Sequence, residues 1–342
     1  MIQVDSDRQA TSVPTRFSYA FMLSLLVLVI SLRLATPLLA TLFIYLALTR
    51  LQLARRGGKW IAVGILLILL AGISYGLGYF VKRAVQDLPV IADKAIPSVI
   101  ESAKRQGIEL PFTDYDSLKD LAFDTVKSEV RYLSSFAKFA RGAAAQALLF
   151  VAGCVVAISL FLNPQFELSH QSSVPARNLY SSCCDEIGRR FGTLYGSFVT
   201  VMGAQIIISA VNTVLTGIFV FAVQLPYPVV VIGVTFLCGL LPVVGNLISN
   251  TLVVAIGFTI SPRMALVALI FLVVIHKLEY FLNSTIVGWR IRNPLWLTLL
   301  GLIIGERLLG IPGMILAPVV LNYVRLEASA IRQQDVPEHR TS

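Results

Sequence analysis

Charge is what this chain has least of. Only 14% of its 342 residues are Asp, Glu, Lys or Arg, against about a quarter in an ordinary soluble domain. With 56% hydrophobic residues and a mean hydropathy of +0.78, too little polar surface remains to keep the folded chain in water. Cysteine is sparse as well. The four cysteines are Cys154, Cys183, Cys184 and Cys238. Two lie in apolar runs, the other two are vicinal, and none belongs to a C-x-x-C or a Cys/His zinc spacing, so they read as small apolar filler. No H-E-x-x-H, G-x-S-x-G or P-loop pattern occurs, and a di-iron site would need a second Glu-x-x-His. No metal or other cofactor is expected. Alternation with a period of two is missing too, which argues against a membrane barrel.

What is present is a series of long apolar runs. Residues 17–32, 34–49, 60–81, 142–162, 196–223 and 265–282 are each about long enough to cross a bilayer as a helix. Trp60 opens the third run, where an interfacial aromatic belongs. The stretch before the first run is polar and no small-residue cleavage site follows it, so no cleaved signal peptide is expected. The net charge of +9 sits between the runs, as orientation signals do. It lacks the interleaved aromatics of a nucleic-acid surface, so nucleic acid is not an expected partner and membrane lipid is.

Residues 82–141 differ. Acids and bases alternate there, with apolar residues at helical spacing from Leu118 to Leu133 and with Pro89, Pro97 and Pro111 as punctuation. The pattern predicts amphipathic helices outside the membrane. The segment around Arg177, Arg189 and Arg190 predicts an amphipathic helix lying on the membrane surface. If the loop with Arg50, Arg55, Arg56 and Lys59 is cytoplasmic, residues 82–141 are outside and both termini are cytoplasmic. The second basic segment then falls inside as well.

Two segments are broken. Residues 229–241 and 247–260 flank Pro242-Val243-Val244-Gly245-Asn246. Residues 295–304 and 311–323 flank Gly305 to Gly310, with Pro312 and Gly313 just beyond. The first pair has halves of about 14 residues, roughly 20 Å of helix; the second pair is shorter. All fall short of a core of about 30 Å. Proline removes a donor and glycine loosens the backbone, so each join reads as a turn. The expected fold is an all-α polytopic membrane protein with about six full spans and two re-entrant hairpins, 229–260 and 295–323. The charge-derived topology makes the hairpins enter from opposite sides, a pointer to a transport site near the midplane. The alternative is two kinked but complete spans, which would leave Asn246 at a surface. The expected division is 1–81 (three spans), 82–141 (extracytoplasmic), 142–195 (fourth span and interfacial helix), 196–324 (transport core) and 325–342 (tail).

At these breaks the chain resembles the autoinducer-2 exporter family of bacterial inner-membrane transporters. The resemblance is carried by Leu225-Pro226-Tyr227-Pro228, Leu241-Pro242-Val243-Val244-Gly245, Glu279, Gly305, Gly310-Ile311-Pro312-Gly313 and Ala317-Pro318-Val319-Val320-Leu321. It implies a multi-span protein of the bacterial inner membrane that exports small solutes, autoinducer-2 in one branch, with sodium or proton exchange in another. It also implies a homo-oligomer of several subunits, a pentamer being the candidate. The chain departs from the family at Thr285, where a proline usually follows the glutamate that matches Glu279.

Ionisable groups inside spans are costly and mark function by default. The candidate solute or ion pathway is Glu279, His276, Asn283, Glu306, Arg307 and Asn246. His276 and Glu279 are three apart and share a helix face, and a buried carboxylate of raised pKa carries a proton or binds a cation. The plainer alternative has His276, Lys277 and Glu279 snorkelling to the inner interface. Asn246 doubles as a candidate structural cap, and Asn250 is a further hydrogen-bonding group in apolar context. The glycine pairs Gly72/Gly76, Gly192/Gly196 and Gly301/Gly305 have the spacing of close helix contacts. The reading is a secondary transporter of a small polar solute working by alternating access and not an enzyme. Its rivals are a sodium/proton antiporter and, in another class, an envelope scaffold acting through residues 82–141.

Overall fold

The computed structural model describes residues 13–54, 58–105, 107, 133–163, 179–241, 244–286 and 294–330, without the side chains of 53–54, 133–143, 279–286 and 295. All regular structure among them is helical: α1 (Val13–Ser31), α2 (Ala35–Ala54), α3 (Lys59–Arg105), α4 (Leu133–Leu162), α5 (Leu179–Ala222), α6 (Pro228–Gly239), α7 (Val244–Ile260), α8 (Pro262–Ile286), α9 (Leu295–Leu309) and α10 (Ile311–Ala330). By length and composition, six of these can cross a membrane: α1, α2, α3, α4, α5 and α10. The chain is a polytopic all-helical membrane protein.

Three expectations are sharpened. First, Pro89 and Pro97 lie inside α3 and do not end it. Each proline removes one backbone donor, which kinks a helix whose flanking turns are intact. Pro111 lies outside the described residues. The 47 residues of α3 span about 70 Å, more than twice a core of about 30 Å. Second, the surface helix expected near Arg189 and the following span are one helix, α5, of 44 residues. Glycines punctuate that stretch, and glycine is tolerated in membrane helices. Third, the outgoing leg of the second broken segment does not stop at Tyr323. It continues to Ala330 as a helix of 20 residues, with Arg325 and Glu327 in its final turns.

Three buried clusters hold the helices together. Ile44 and Leu48 of α2 pack with Val63 and Leu66 of α3 and with Ala157 and Phe161 of α4. The opposite side of α2 (Ala35, Leu39, Leu46) packs with Phe198 and Met202 of α5 and with Leu316 and Val319 of α10. The third cluster joins Ile91 of α3 to Phe219 and Val220 of α5, Val230 and Val231 of α6, and Val253 and Ile256 of α7. Ile91 lies in the stretch expected to be extramembrane, and it caps one end of the α5–α7 bundle.

Pairing of Val230 and Val231 with Val253 and Ile256 requires α6 and α7 to run antiparallel, because these residues stand away from the break between the two helices. A Cβ on Gly245 would fall inside the Cys238 carbonyl, so the two legs touch backbone to backbone beside the turn. The first broken segment is therefore a helical hairpin. The second has the same form: α9 and α10 reverse at Gly310, whose φ is 66°, and the Gly305 and Gly313 backbones are in contact. Close packing also holds at Gly301, against Leu321 and Ala317, whereas Gly72, Gly76, Gly192 and Gly196 have open space where a side chain would go.

Candidate functional site

A helix that stops inside the bundle leaves carbonyls without partners, which an apolar medium does not forgive. At the end of α6 they are met from α5. Gln205 Nε2 donates to the Gly239 carbonyl at 2.6 Å, and Ser209 Oγ donates to the Phe236 carbonyl at 2.7 Å. Gln205 and Ser209 begin a stripe that continues with Asn212 and Thr216. The spacing of four, three and four puts all of them on one face of α5.

That face and the two legs of the first hairpin enclose a cavity of about 10 Å³, room for the centre of about one water. Its polar wall is Asn212 and Thr216 from α5, Thr235 from α6, Asn246, Ser249 and Asn250 from α7, and His276 from α8. Val253, Leu272 and Ile275 close it. Asn212, Thr216, Thr235 and Ser249 are between 3% and 7% exposed. Burying a polar group in an apolar medium costs free energy unless it is hydrogen-bonded, so the convergence of polar groups from several helices is a built feature.

Register explains how α7 and α8 contribute. Gly257 packs on the backbone of Ala265 beside the turn between them. Asn246 precedes Ile260 by 14 residues and His276 follows Pro262 by 14, so both stand about 21 Å from that turn. The structure thus brings together Asn246 and His276, two of the residues singled out from the sequence. Asn246 lies inside α7, third from its start, and lines the cavity.

Glu279 and Asn283 fall on α8 with their side chains outside the described residues, and Pro242 lies outside them altogether. Glu306 and Arg307 are on α9, 3.9 Å apart, with side chains 55% and 84% exposed. Neither lines the cavity. Among the described residues no group of His, Cys, Asp and Glu could hold a metal ion, and all four cysteines are free thiols.

The two hairpin turns reach one level of α5. Arg190 of α5 pairs with Glu327 of α10, and the clusters above show these helices running antiparallel. Gly310 precedes Glu327 by 17 residues and Ile207 follows Arg190 by 17, about 25 Å along each helix. Gln205 and Ser209, beside that level, hold the end of α6.

Sequence reasoning missed Gln205, Ser209, Asn212, Thr216, Thr235 and Ser249. The usable signal was the helical spacing of the first four in an otherwise apolar run.

These features define a helical membrane protein with a polar site built beneath a break in its helices. Comparison with known proteins supplies the class: residues 17–326 match the model of the AI-2E family transporters, and the chain belongs to that family. It is also similar to "Putative transport protein YdbI" of Bacillus subtilis (strain 168), at 30% identity over 131 residues. The match covers 38% of this chain and only 37% of the relative's length. The chain is thus a many-helix membrane protein of that family.

Proposed function

We propose that the chain is a secondary transporter of the bacterial inner membrane that exports a small, uncharged, polar solute, autoinducer-2 being a candidate. The solute would be held by the polar wall at Asn212, Thr216, Thr235, Asn246, Ser249, Asn250 and His276. The convergence of these groups at the tip of the first hairpin carries the proposal. The described lining is amide, hydroxyl and imidazole, a set that suits a partner with both donors and acceptors. A cavity of about 10 Å³ has room for about one water, so binding a solute there by alternating access would require the hairpin legs to part from α5 and α8.

Both termini are proposed to be cytoplasmic. The start of α1, the N-terminal part of α5 and the end of α10 meet at one end of the bundle through Tyr19, Arg190 and Glu327, as that topology requires. The two hairpins are proposed to be re-entrant from opposite sides, and the working form a homo-oligomer.

The second reading is a sodium/proton antiporter. It is favoured by Glu279, one helical turn beyond His276 on α8. The test is flux in proteoliposomes. Asn250→Ala and Thr235→Val, which remove solute contacts, are expected to abolish or weaken export of a neutral solute while Glu279→Gln weakens it at most. Loss of sodium-driven proton flux in Glu279→Gln, with no neutral-solute flux in the wild type, would favour the antiporter.

A further inference from the structure

Beside the closed cavity, α7 and α8 border an open groove of about 490 Å³. Asn250, Leu272 and His276 belong to the walls of both. They form the partition between the polar cavity and the surface of the bundle.

The groove is polarised along its length. Val254 and Leu269 stand near the α7–α8 turn, with Val273 between them and the far end. By helical rise, Leu269 is about 10 Å from Pro262, whereas Lys277 is about 22 Å from it. Among the described residues Lys277 has no ion-pair partner and no carboxylate lines the groove. The outer faces around it are apolar and exposed: Leu266, Ile270, Val274 and Leu247 are 57%, 56%, 61% and 70% exposed.

Depth fixes what fits. In a core of about 30 Å, Lys277 lies within the last third before the boundary on the side where α8 ends. Its four-carbon stem lets the ammonium reach that interface. The site therefore offers a cation at a membrane surface and an apolar trough running from it toward the middle of the bilayer. That is the orientation of a leaflet phospholipid.

We propose that the groove binds one phospholipid with an anionic headgroup, its phosphate on Lys277 and an acyl chain along Val273, Leu269 and Val254. The bound chain then lies against Asn250, Leu272 and His276 and completes the side wall of the cavity. The proposal rests on the membrane placement of α7 and α8 and is independent of the solute.

The experiment uses the full chain in nanodiscs of equal phosphatidylcholine and phosphatidylglycerol. The protein is released into mild detergent and its retained lipids are counted by native mass spectrometry. Wild type is expected to retain phosphatidylglycerol in preference to phosphatidylcholine. Lys277→Gln should lower that preference by about fivefold, the effect of one basic residue at a membrane surface, and Lys277→Arg should keep it. Val273→Trp, which fills the trough, should displace the retained lipid of either kind. Equal retention of the two lipids by wild type, or an unchanged preference in Lys277→Gln, would overturn the proposal. So would efficient disulfide cross-linking between two copies carrying Val273→Cys, because the groove would then be covered by protein.

Discussion

Arg190 and Glu327 are 137 residues apart in sequence and form an ion pair whose side chains are 2% and 8% exposed. Tyr19 joins them from α1: its hydroxyl donates to Glu327 Oε2 at 3.2 Å, and its ring lies 4.1 Å from the Arg190 guanidinium carbon. Ser18 Oγ accepts from Arg190 Nε at 3.4 Å, and Glu186 is a second carboxylate at 3.3 Å. One buried charge pair thus ties α1, α5 and α10 at a single end of the bundle.

Breaking such a pair by removing one partner strands the other charge, at a cost of about 3–5 kcal/mol, whereas replacing both by apolar residues is often nearly neutral. Arg190→Leu and Glu327→Leu are each expected to lower the thermal midpoint of the solubilised protein sharply, followed by tryptophan fluorescence. The double variant should recover most of the loss. Equal losses in the single and double variants would show that packing, not charge, matters at this point.

Gln205 and Ser209 close the end of α6. Removing either side chain leaves a buried carbonyl without a donor, a cost of about 1–3 kcal/mol. Gln205→Ala should raise hydrogen exchange over residues 236–241 while exchange in α2 and α4 stays at the wild-type level. A uniform rise would mean that Gln205 acts on global stability.

The hairpin turns depend on glycine for space, not only for flexibility. Gly245→Val, Gly305→Val and Gly313→Val would each put side-chain atoms into backbone. Folded yield after extraction is expected to collapse for all of them. Gly72→Ala and Gly76→Ala meet open space and should leave a single chain's folding intact. A loss of assembly in either would instead mark α3 as a contact between copies.

The cavity residues should separate from the rest by kinetics. Asn250→Ala and Thr235→Val each remove about one hydrogen bond to a bound solute, and a loss of 1.4 kcal/mol is tenfold in affinity. The half-saturating concentration for flux should therefore rise by roughly tenfold with little change in thermal midpoint. Glu306→Gln and Arg307→Gln, whose side chains lie outside the cavity, should leave that concentration unchanged.

The spans were legible because apolar runs and basic loops are strong, local signals. Both breaks were legible as well, because Pro242, Gly245, Gly305 and Gly310 interrupt apolar stretches; that the outgoing leg of the second is long enough to cross was not. The length of α3 was not either, since Pro89 and Pro97 read as stops whereas the helix runs through both.

Half of the site was missed for a chemical reason. Charged residues such as Glu306 and Arg307 stand out in apolar sequence, while neutral amides and hydroxyls do not. Yet Gln205, Ser209, Asn212 and Thr216 carry their own pattern, a polar stripe at helical spacing. The meeting of Asn246 with His276 was also implicit, in their equal distances from the turn at Ser261. The failure of Glu306 and Arg307 to join the cavity was not implicit. It follows from α9 packing chiefly on α10, a tertiary fact without a local signature.

The most direct measurement is flux in proteoliposomes across a panel of small polar solutes, comparing wild type with Asn246→Ala, Asn250→Ala and His276→Ala at matched folded protein. Wild type is expected to carry at least one uncharged solute, with flux strongly reduced in all of these variants and their thermal midpoints preserved. Undiminished flux in folded cavity variants, or no flux of any solute by wild type, would contradict a transport site beneath the first hairpin.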